Sequence, residues 1–283
     1  VAEIHREMDR VLAPNASRGM PIAKAGIDLA VHDALGKILE IPVWALWGYT
    51  PSEQVDLSWT ISSFGTIESV RAAVMEGLER GYKHFNIKVG VDLDFEKEAI
   101  KAIRQLAPRS VILADANGGI EPSRAVVYCK ELQRAGADII EQPLPCGYRR
   151  VWKEILRCVD VPIIVDEWVT RPQDVIELVG EGVCRGIALK VTRTGGLFPS
   201  RMCAEIGKNA GAVMLTSGLT DGGVALAGNL ILAGCFSSEY PCPLNGPQFL
   251  ADDVISGGIV VEGGVAKISR RPGLGIEVDE EKI

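Results

Sequence analysis

Five charged residues each close a short apolar run: Lys88 (FNIK), Asp115 (ILAD), Glu141 (IIE), Asp166 (IIVD) and Lys190 (IALK). A charge directly after an apolar strand is expensive if buried alone. One such acid reads as a loop cap, and one such lysine as a solvated rim residue. Five in succession read as a site. Three carboxylates facing one another favour protonation unless a cation neutralises them. Hard oxygen ligands with open positions suit Mg2+, with Mn2+ as a substitute, so Asp115, Glu141 and Asp166 are candidate metal ligands. Lys88 and Lys190 flank them, one on each side. A lysine near a metal and another cation has its pKa lowered and accepts a proton near neutral pH. A metal that holds a carboxylate stabilises the enediolate left when the α-proton departs. Lysines on opposite faces then take a proton from one face and return it, or protonate a leaving group, from the other.

The elements that must position these residues alternate from about Val55 onward. Strands are expected at Val55–Ser62, His84–Val89, Val111–Ala114, Ile139–Glu141, Ile163–Asp166, Gly186–Lys190 and Ala212–Leu215. Amphipathic segments such as IESVRAAVMEGLERG and DFEKEAIKAIRQLAP lie between them. In the second, Phe95, Ala99, Ile103 and Leu106 recur at helical spacing, with Asp94 as the expected N-cap and Pro108 as the stop. Asp94, Glu98, Asp174 and Glu177 read as helix-surface charges. Lys88 to Asp115 is 27 positions, and the steps to Glu141, Asp166, Lys190 and Leu215 are 26, 25, 24 and 25. A βα unit with short loops has that length, and parallel strands require such crossovers. Seven units in register point to a (β/α) barrel, whose strand ends converge on one mouth. Ser237–Leu244 is the candidate eighth strand. The expected division is residues 1–54 as part of a capping domain with lead-in helices, 55–245 as the barrel, and 246–283 as a segment returning to the cap. The chain begins inside a helical pattern, as a fragment would.

Composition narrows the partners. The chain has 283 residues, 47% hydrophobic, enough for one large core or two modest ones. The net charge is −7 with acids and bases interspersed, and no basic stripe exists to bind nucleic acid. An anionic substrate must therefore be captured locally. The seven cysteines form no CxxC pair and read as reduced thiols of a cytoplasmic protein. VAEIHREMDRV is an amphipathic helix pattern rather than a signal peptide. The apolar run Val224–Cys235 is too short to cross a bilayer and contains Asn229, so no membrane role is expected. His5, His32 and His84 show no metal spacing.

Taken in order, FNIKVG, LADANGG, IIEQPLP, PIIVDE and ALKVTRTGGL resemble the enolase superfamily, in its muconate lactonizing enzyme-like branch. The stretch AKAGIDLAVHDALGKILEIPVWALWG is similar to the passage from that family's capping domain into its barrel. The resemblance implies an α/β fold, a (β/α) barrel of the modified TIM type with a smaller α+β capping domain. The N-terminal β-rich part of that cap is largely absent before Val1. It implies Asp115, Glu141 and Asp166 as metal ligands, Lys88 and Lys190 as acid/base lysines, and Asn117 and Glu167 as companions of the ligands. No histidine follows strand seven, which disfavours the mandelate racemase branch. Where the family carries Lys-x-Lys, this chain reads Asn86-Ile87-Lys88, so Asn86 can only hydrogen-bond to a substrate. Where many relatives carry an acid after strand seven, Asp221 is the nearest carboxylate. A small carboxylate is the implied substrate. Asn86, DANGG and RPGLGIEV resemble members that dehydrate or epimerise hydroxyproline-like amino acids. A muconate-type cycloisomerase and a non-catalytic degenerate barrel are the alternatives. The family is commonly oligomeric, and a homo-oligomer is expected, with Trp44 and Trp47 buried either within the chain or between chains.

Overall fold

The alternating pattern builds a wound α/β frame in the computed structural model, which describes residues 1–13, 19–61, 65–183, 185–236 and 240–282. Helices α1 (Ala2–Val11), α2 (Pro21–Ile38) and α3 (Val43–Leu46) lead into strand β1 (Gln54–Asp56). The repeating units then run β2 (Ser58–Ile61), α4 (Ile67–Glu79), β3 (His84–Lys88), α5 (Leu93–Leu106), β4 (Ile112–Asp115), α6 (Ala125–Ala135), β5 (Ile139–Glu141) and α7 (Arg149–Cys158). They continue through β6 (Ile163–Val165), α8 (Pro172–Gly180), β7 (Gly186–Leu189), α9 (Val191–Thr194), α10 (Leu197–Asn209), β8 (Val213–Thr216) and α11 (Gly223–Phe236). The single turn α12 (Gly246–Phe249) and the short strands β9 (Ile255–Gly257), β10 (Val260–Glu262), β11 (Val265–Lys267) and β12 (Glu277–Val278) end the chain.

Strands β2 to β8 form one parallel sheet in sequential order, curled in the manner of a TIM-type barrel. Alternation divides its side chains between two cores. Leu113, Ile139, Ile164, Ala188 and Leu215 pack together as one cluster on the inner side. The larger cluster lies between the sheet and the helices. Trp59 faces α4 there, and Gly77 makes room for it: a Cβ at Gly77 would lie 2.9 Å from the indole.

The expected strand Val55–Ser62 divides at Leu57. Residues before it pair antiparallel with β11, and residues after it pair parallel with β3; Ser62 lies outside the described residues. Of the candidate eighth strand Ser237–Leu244, residues 237–239 also lie outside them. The described part makes a single parallel bridge, Cys242 to Leu57, with bonds of 2.8 and 3.1 Å to Asp56 and Ser58. Pro241 and Pro243 flank Cys242 and have no N–H to extend a ladder. The side-chain amide of Gln248 continues the edge instead. It accepts from Thr60 N at 2.9 Å and donates to Thr60 O at 2.8 Å.

Two helix readings are corrected. The N-cap of α5 is Asp92, whose Oδ1 accepts from the backbone of Asp94 and Phe95. Asp174 is buried and accepts from both the amide and the hydroxyl of Thr170, so it ties down the loop before its helix rather than lying on the surface. Glu98 and Glu177 are exposed, as expected.

The C-terminal strands fold back on the leading helices. Pro42 bridges Gly273, and Asp33 Oδ1 accepts from Leu274 N at 2.8 Å. Gly273 has φ 69°, and a Cβ there would collide with Asp33, so glycine is required. Trp44 donates to Ser269 O at 3.0 Å, and Trp47 packs against His32 and Arg201, so both indoles are engaged inside the chain. Among the described residues no helix is long and apolar enough to cross a membrane.

Candidate active site

Strand register brings three of the charged strand ends to one level, and the stagger of the sheet sets the other two further along. Lys88 pairs across with Asp115, and Asp115 with Glu141, at the ends of β3, β4 and β5. Asp166 and Lys190 follow directly after β6 and β7. Asp115 and Glu141 stand two residues beyond Leu113 and Ile139, so alternation turns them to the inner side as well.

Two networks flank the centre. On one side Lys88 donates to Asp115 Oδ2 at 2.6 Å and to Asn117 Oδ1 at 2.8 Å. Asn117 donates from its backbone to Asp115 Oδ1 and from its side chain to Glu167 Oε1, both at 2.9 Å. On the other side Lys190 donates to Asp166 Oδ2 at 2.8 Å, and Arg193 donates to Asp166 Oδ1. Between them Glu141 is fully buried, and neither of its carboxylate oxygens has a hydrogen-bond partner.

The electrostatics follow from this crowding. Burial pushes Glu141 well above the usual carboxylate range, and the charges of Asp115 and Asp166 push it further. Burial likewise raises Glu167, with Asp166 adding to it. At Asp166 burial raises the pKa, but Lys190 and Arg193 together outweigh it and the net shift is downward. Lys88 departs from the expectation of a lowered lysine. Burial lowers it, but Asp115, Glu141 and Asp166 outweigh burial and hold its ammonium form. The groups that act on it are carboxylates, so the sign is reversed.

The two remaining expected residues sit differently. Asn86 lies two residues before Lys88 on β3, buried, with its Oδ1 unpartnered. Asp221 follows β8 and accepts from Asn229 Nδ2 at 2.9 Å, Leu219 N at 3.1 Å and Thr192 Oγ1 at 3.5 Å. Burial raises its pKa, partly offset by Leu219 N–H and Lys190.

Among the described residues, no three acidic, histidine or cysteine side chains are gathered into a ready-made metal cluster. Asp115 and Asp166 are turned toward the lysines instead. The donor chemistry still fits a hard divalent cation: three carboxylates at adjacent strand ends, the central one buried with both oxygens unpartnered. All three histidines are engaged elsewhere. His5 and His32 both contact the buried Asp28, and His84 Nδ1 accepts from Val111 N where β3 begins.

Three residues of the site were not anticipated. Arg193 shares Asp166 with Lys190; it stands three positions after Lys190, a helical spacing that returns it to the same face. Gln142, fully within the core, accepts from Asp166 N at 2.8 Å and fixes the backbone there. Asn229 accepts from Val191 N at 3.0 Å while donating to Asp221. Its signal was a lone amide inside an otherwise apolar helix.

Residues 69–282 match the family model described as enolase C-terminal domain-like. Residues 1–48 match the mandelate racemase / muconate lactonizing enzyme N-terminal domain. Muconate cycloisomerase 1 of Rhodococcus opacus is 29% identical over 100% of this chain and 75% of its own length. The L-Lys-D/L-Arg epimerase of Methylococcus capsulatus is 28% identical over 90% of this chain and 72% of its own. Among solved structures, a dipeptide epimerase from Enterococcus faecalis superposes with a TM-score of 0.89 at 25% identity, covering 98% of this chain and 79% of that one. Muconate cycloisomerase from Pseudomonas fluorescens gives 0.86 at 27%, covering 92% and 73%. Members of this superfamily generally use a divalent metal. The order of strand-end charges, the curled parallel sheet and both domain matches agree, and the chain belongs to the enolase superfamily of enzymes, in its muconate lactonizing enzyme-like branch.

Proposed function

We propose that this chain removes the α-proton of a small carboxylate substrate in a metal-dependent reaction through an enediolate, giving epimerisation or dehydration. The observation that carries the reading is Glu141, a fully buried carboxylate with both oxygens unpartnered, set between two acids that each hold a lysine. A hard divalent cation, Mg2+ or Mn2+, held by Asp115, Glu141 and Asp166, would neutralise the charge that develops on the substrate carboxylate. Lys88 and Lys190 approach the α-carbon from opposite faces, one taking the proton and the other returning it or protonating a leaving hydroxyl. Asn117 and Glu167 orient Asp115 and Lys88, and Arg193 orients Asp166. Asn86 and Asp221 contact the remainder of the substrate.

A hydroxyproline-like amino acid is the specific substrate this reading favours, carried by Asn86 where relatives place a lysine. The names of the muconate cycloisomerase relatives favour a second reading on the same frame, in which a substrate carboxylate adds to a conjugated double bond to close a lactone and one lysine protonates the enolate that results. A homo-oligomer is part of the proposal, and light scattering at micromolar concentration tests it: a monomeric mass refutes that part. The metal reading is tested by calorimetry. One Mg2+ or Mn2+ site per chain, lost in Glu141→Gln, is expected; a wild-type protein that binds neither metal sinks it.

A further inference from the structure

The inner side of the barrel is unevenly lined. From β4 to β8 it carries Leu113, Ile139, Ile164, Ala188 and Leu215. On β2 and β3 the matching positions are polar. Thr60 pairs with Asn86, and Asn86 with Leu113, so all three stand at one height. Trp59 faces outward against α4, which turns Ser58 and Thr60 inward by alternation. Ser58, Thr60 and Asn86 are 3, 7 and 3% exposed. Ser58 Oγ, Thr60 Oγ1 and Asn86 Oδ1 are all without a hydrogen-bond partner.

Buried polar groups without partners are costly. Such a cost, repeated three times on neighbouring strands, is expected where a ligand supplies the missing bonds. The chemistry of that ligand follows from the three groups. None is charged, so the sector offers no counter-ion to an anion or a cation. Asn86 Oδ1 is the unpartnered atom of that amide and accepts only, so a group that meets it must bring an N–H or O–H. The hydroxyls of Ser58 and Thr60 can donate or accept. Asn86 precedes Lys88 by two residues, about 7 Å along the strand, which is within reach of the distal end of a small substrate held at the mouth.

We propose that Thr60 and Asn86, with Ser58 beneath them, form a specificity-determining sector that receives an uncharged hydroxyl or amide group of the substrate. This rests on the reading that the mouth holds a carboxylate substrate. Asn86 selects a substrate that donates a hydrogen bond, and the apolar wall opposite packs the rest of the chain.

Three amino acids of nearly equal shape serve as probes: asparagine, leucine and aspartate. Their binding to the Mg2+-loaded protein is measured by calorimetry, and α-proton exchange in D2O is followed by NMR. The same is done for Asn86→Leu and Thr60→Val, which keep side-chain shape and remove the unpartnered atoms. Asparagine is expected to bind ~10-fold or more tighter than leucine, the worth of one or two neutral hydrogen bonds, and tighter than aspartate. Both variants should lose that preference, and both should melt a few degrees higher than wild type without ligand, since an unpartnered buried group has been removed. Equal binding of the three probes, or variants that melt lower because the groups serve the fold, overturns the sector. A preference for asparagine in binding with no α-proton exchange leaves the sector standing and sinks the proposed reaction. Exchange without any preference does the opposite, and no binding of any probe sinks both.

Discussion

The two lysine networks at the mouth are built differently. The Lys88 side chain is 37% exposed and hydrogen-bonds to one carboxylate and one amide. That of Lys190 is 6% exposed and shares a fully buried carboxylate with Arg193. Behind Lys190, Asn229 ties the next residue, Val191, to the Asp221 loop. Behind Lys88, Asn117 reaches across to Glu167, which follows β6, two strands further on. One lysine is fixed from several sides in the core; the other is fixed at the rim by the end of β4 and the loop that follows it. The proposed reaction on both faces of one carbon would thus draw on one rigid and one accessible group.

The comparison breaks most severely if either lysine is removed. Lys88→Ala and Lys190→Ala should each lower overall turnover by ~10²–10⁴-fold, the usual contribution of a general acid/base group. Steady-state assays with an established substrate check this, and near wild-type rates in both variants would make them rim lysines. Arg193→Gln comes next. It leaves Asp166 buried with Lys190 as its remaining cation, so the cost is that of a lost charge-assisted hydrogen bond, ~1.5–3 kcal/mol. Chemical denaturation should show that loss, and Arg193→Lys should recover part of it.

Glu141→Gln acts in the opposite direction in the metal-free protein. Burial and two neighbouring carboxylates raise the folded-state pKa of Glu141 above its unfolded value. Its stabilising contribution is therefore complete below the ordinary glutamate range and is lost as pH rises through the raised value. Without metal, the variant should melt higher than wild type at pH 7–8 and lose this advantage near pH 4. Added Mg2+ should raise the melting temperature of wild type alone. Thermal scans across that range, with and without metal, decide it. Asn117→Ala is the mildest change. It removes bonds at the more exposed lysine and should cost about 1 kcal/mol, with a larger effect on turnover than on folding.

Much of this arrangement was legible in the sequence because it is periodic. Steps of 24 to 27 residues placed Lys88, Asp115, Glu141, Asp166 and Lys190 at successive strand ends, and register brings the first three to one level. What stayed hidden lacked a period. The switch of sheets at Leu57 depends on β11, more than 200 positions away. The closing edge is made by Cys242 between two prolines and by the Gln248 side chain, neither of which follows a strand pattern. Arg193 lay in a motif already quoted, yet only its contact with Asp166 gives it meaning. Ser58 and Thr60 look like ordinary strand residues until their hydroxyls are found buried without partners.

The central claim is that Lys88 and Lys190 serve opposite faces of one α-carbon. Its most direct test is α-proton exchange in D2O, measured by NMR on each enantiomer of a substrate with wild type, Lys88→Ala and Lys190→Ala. The lysine facing the α-proton of a given enantiomer is required for its exchange, and the other is not. One variant should keep exchange on one enantiomer while losing net conversion, and the other should show the reverse pattern or none. Wild-type exchange of both enantiomers in both variants would contradict the assignment of the site.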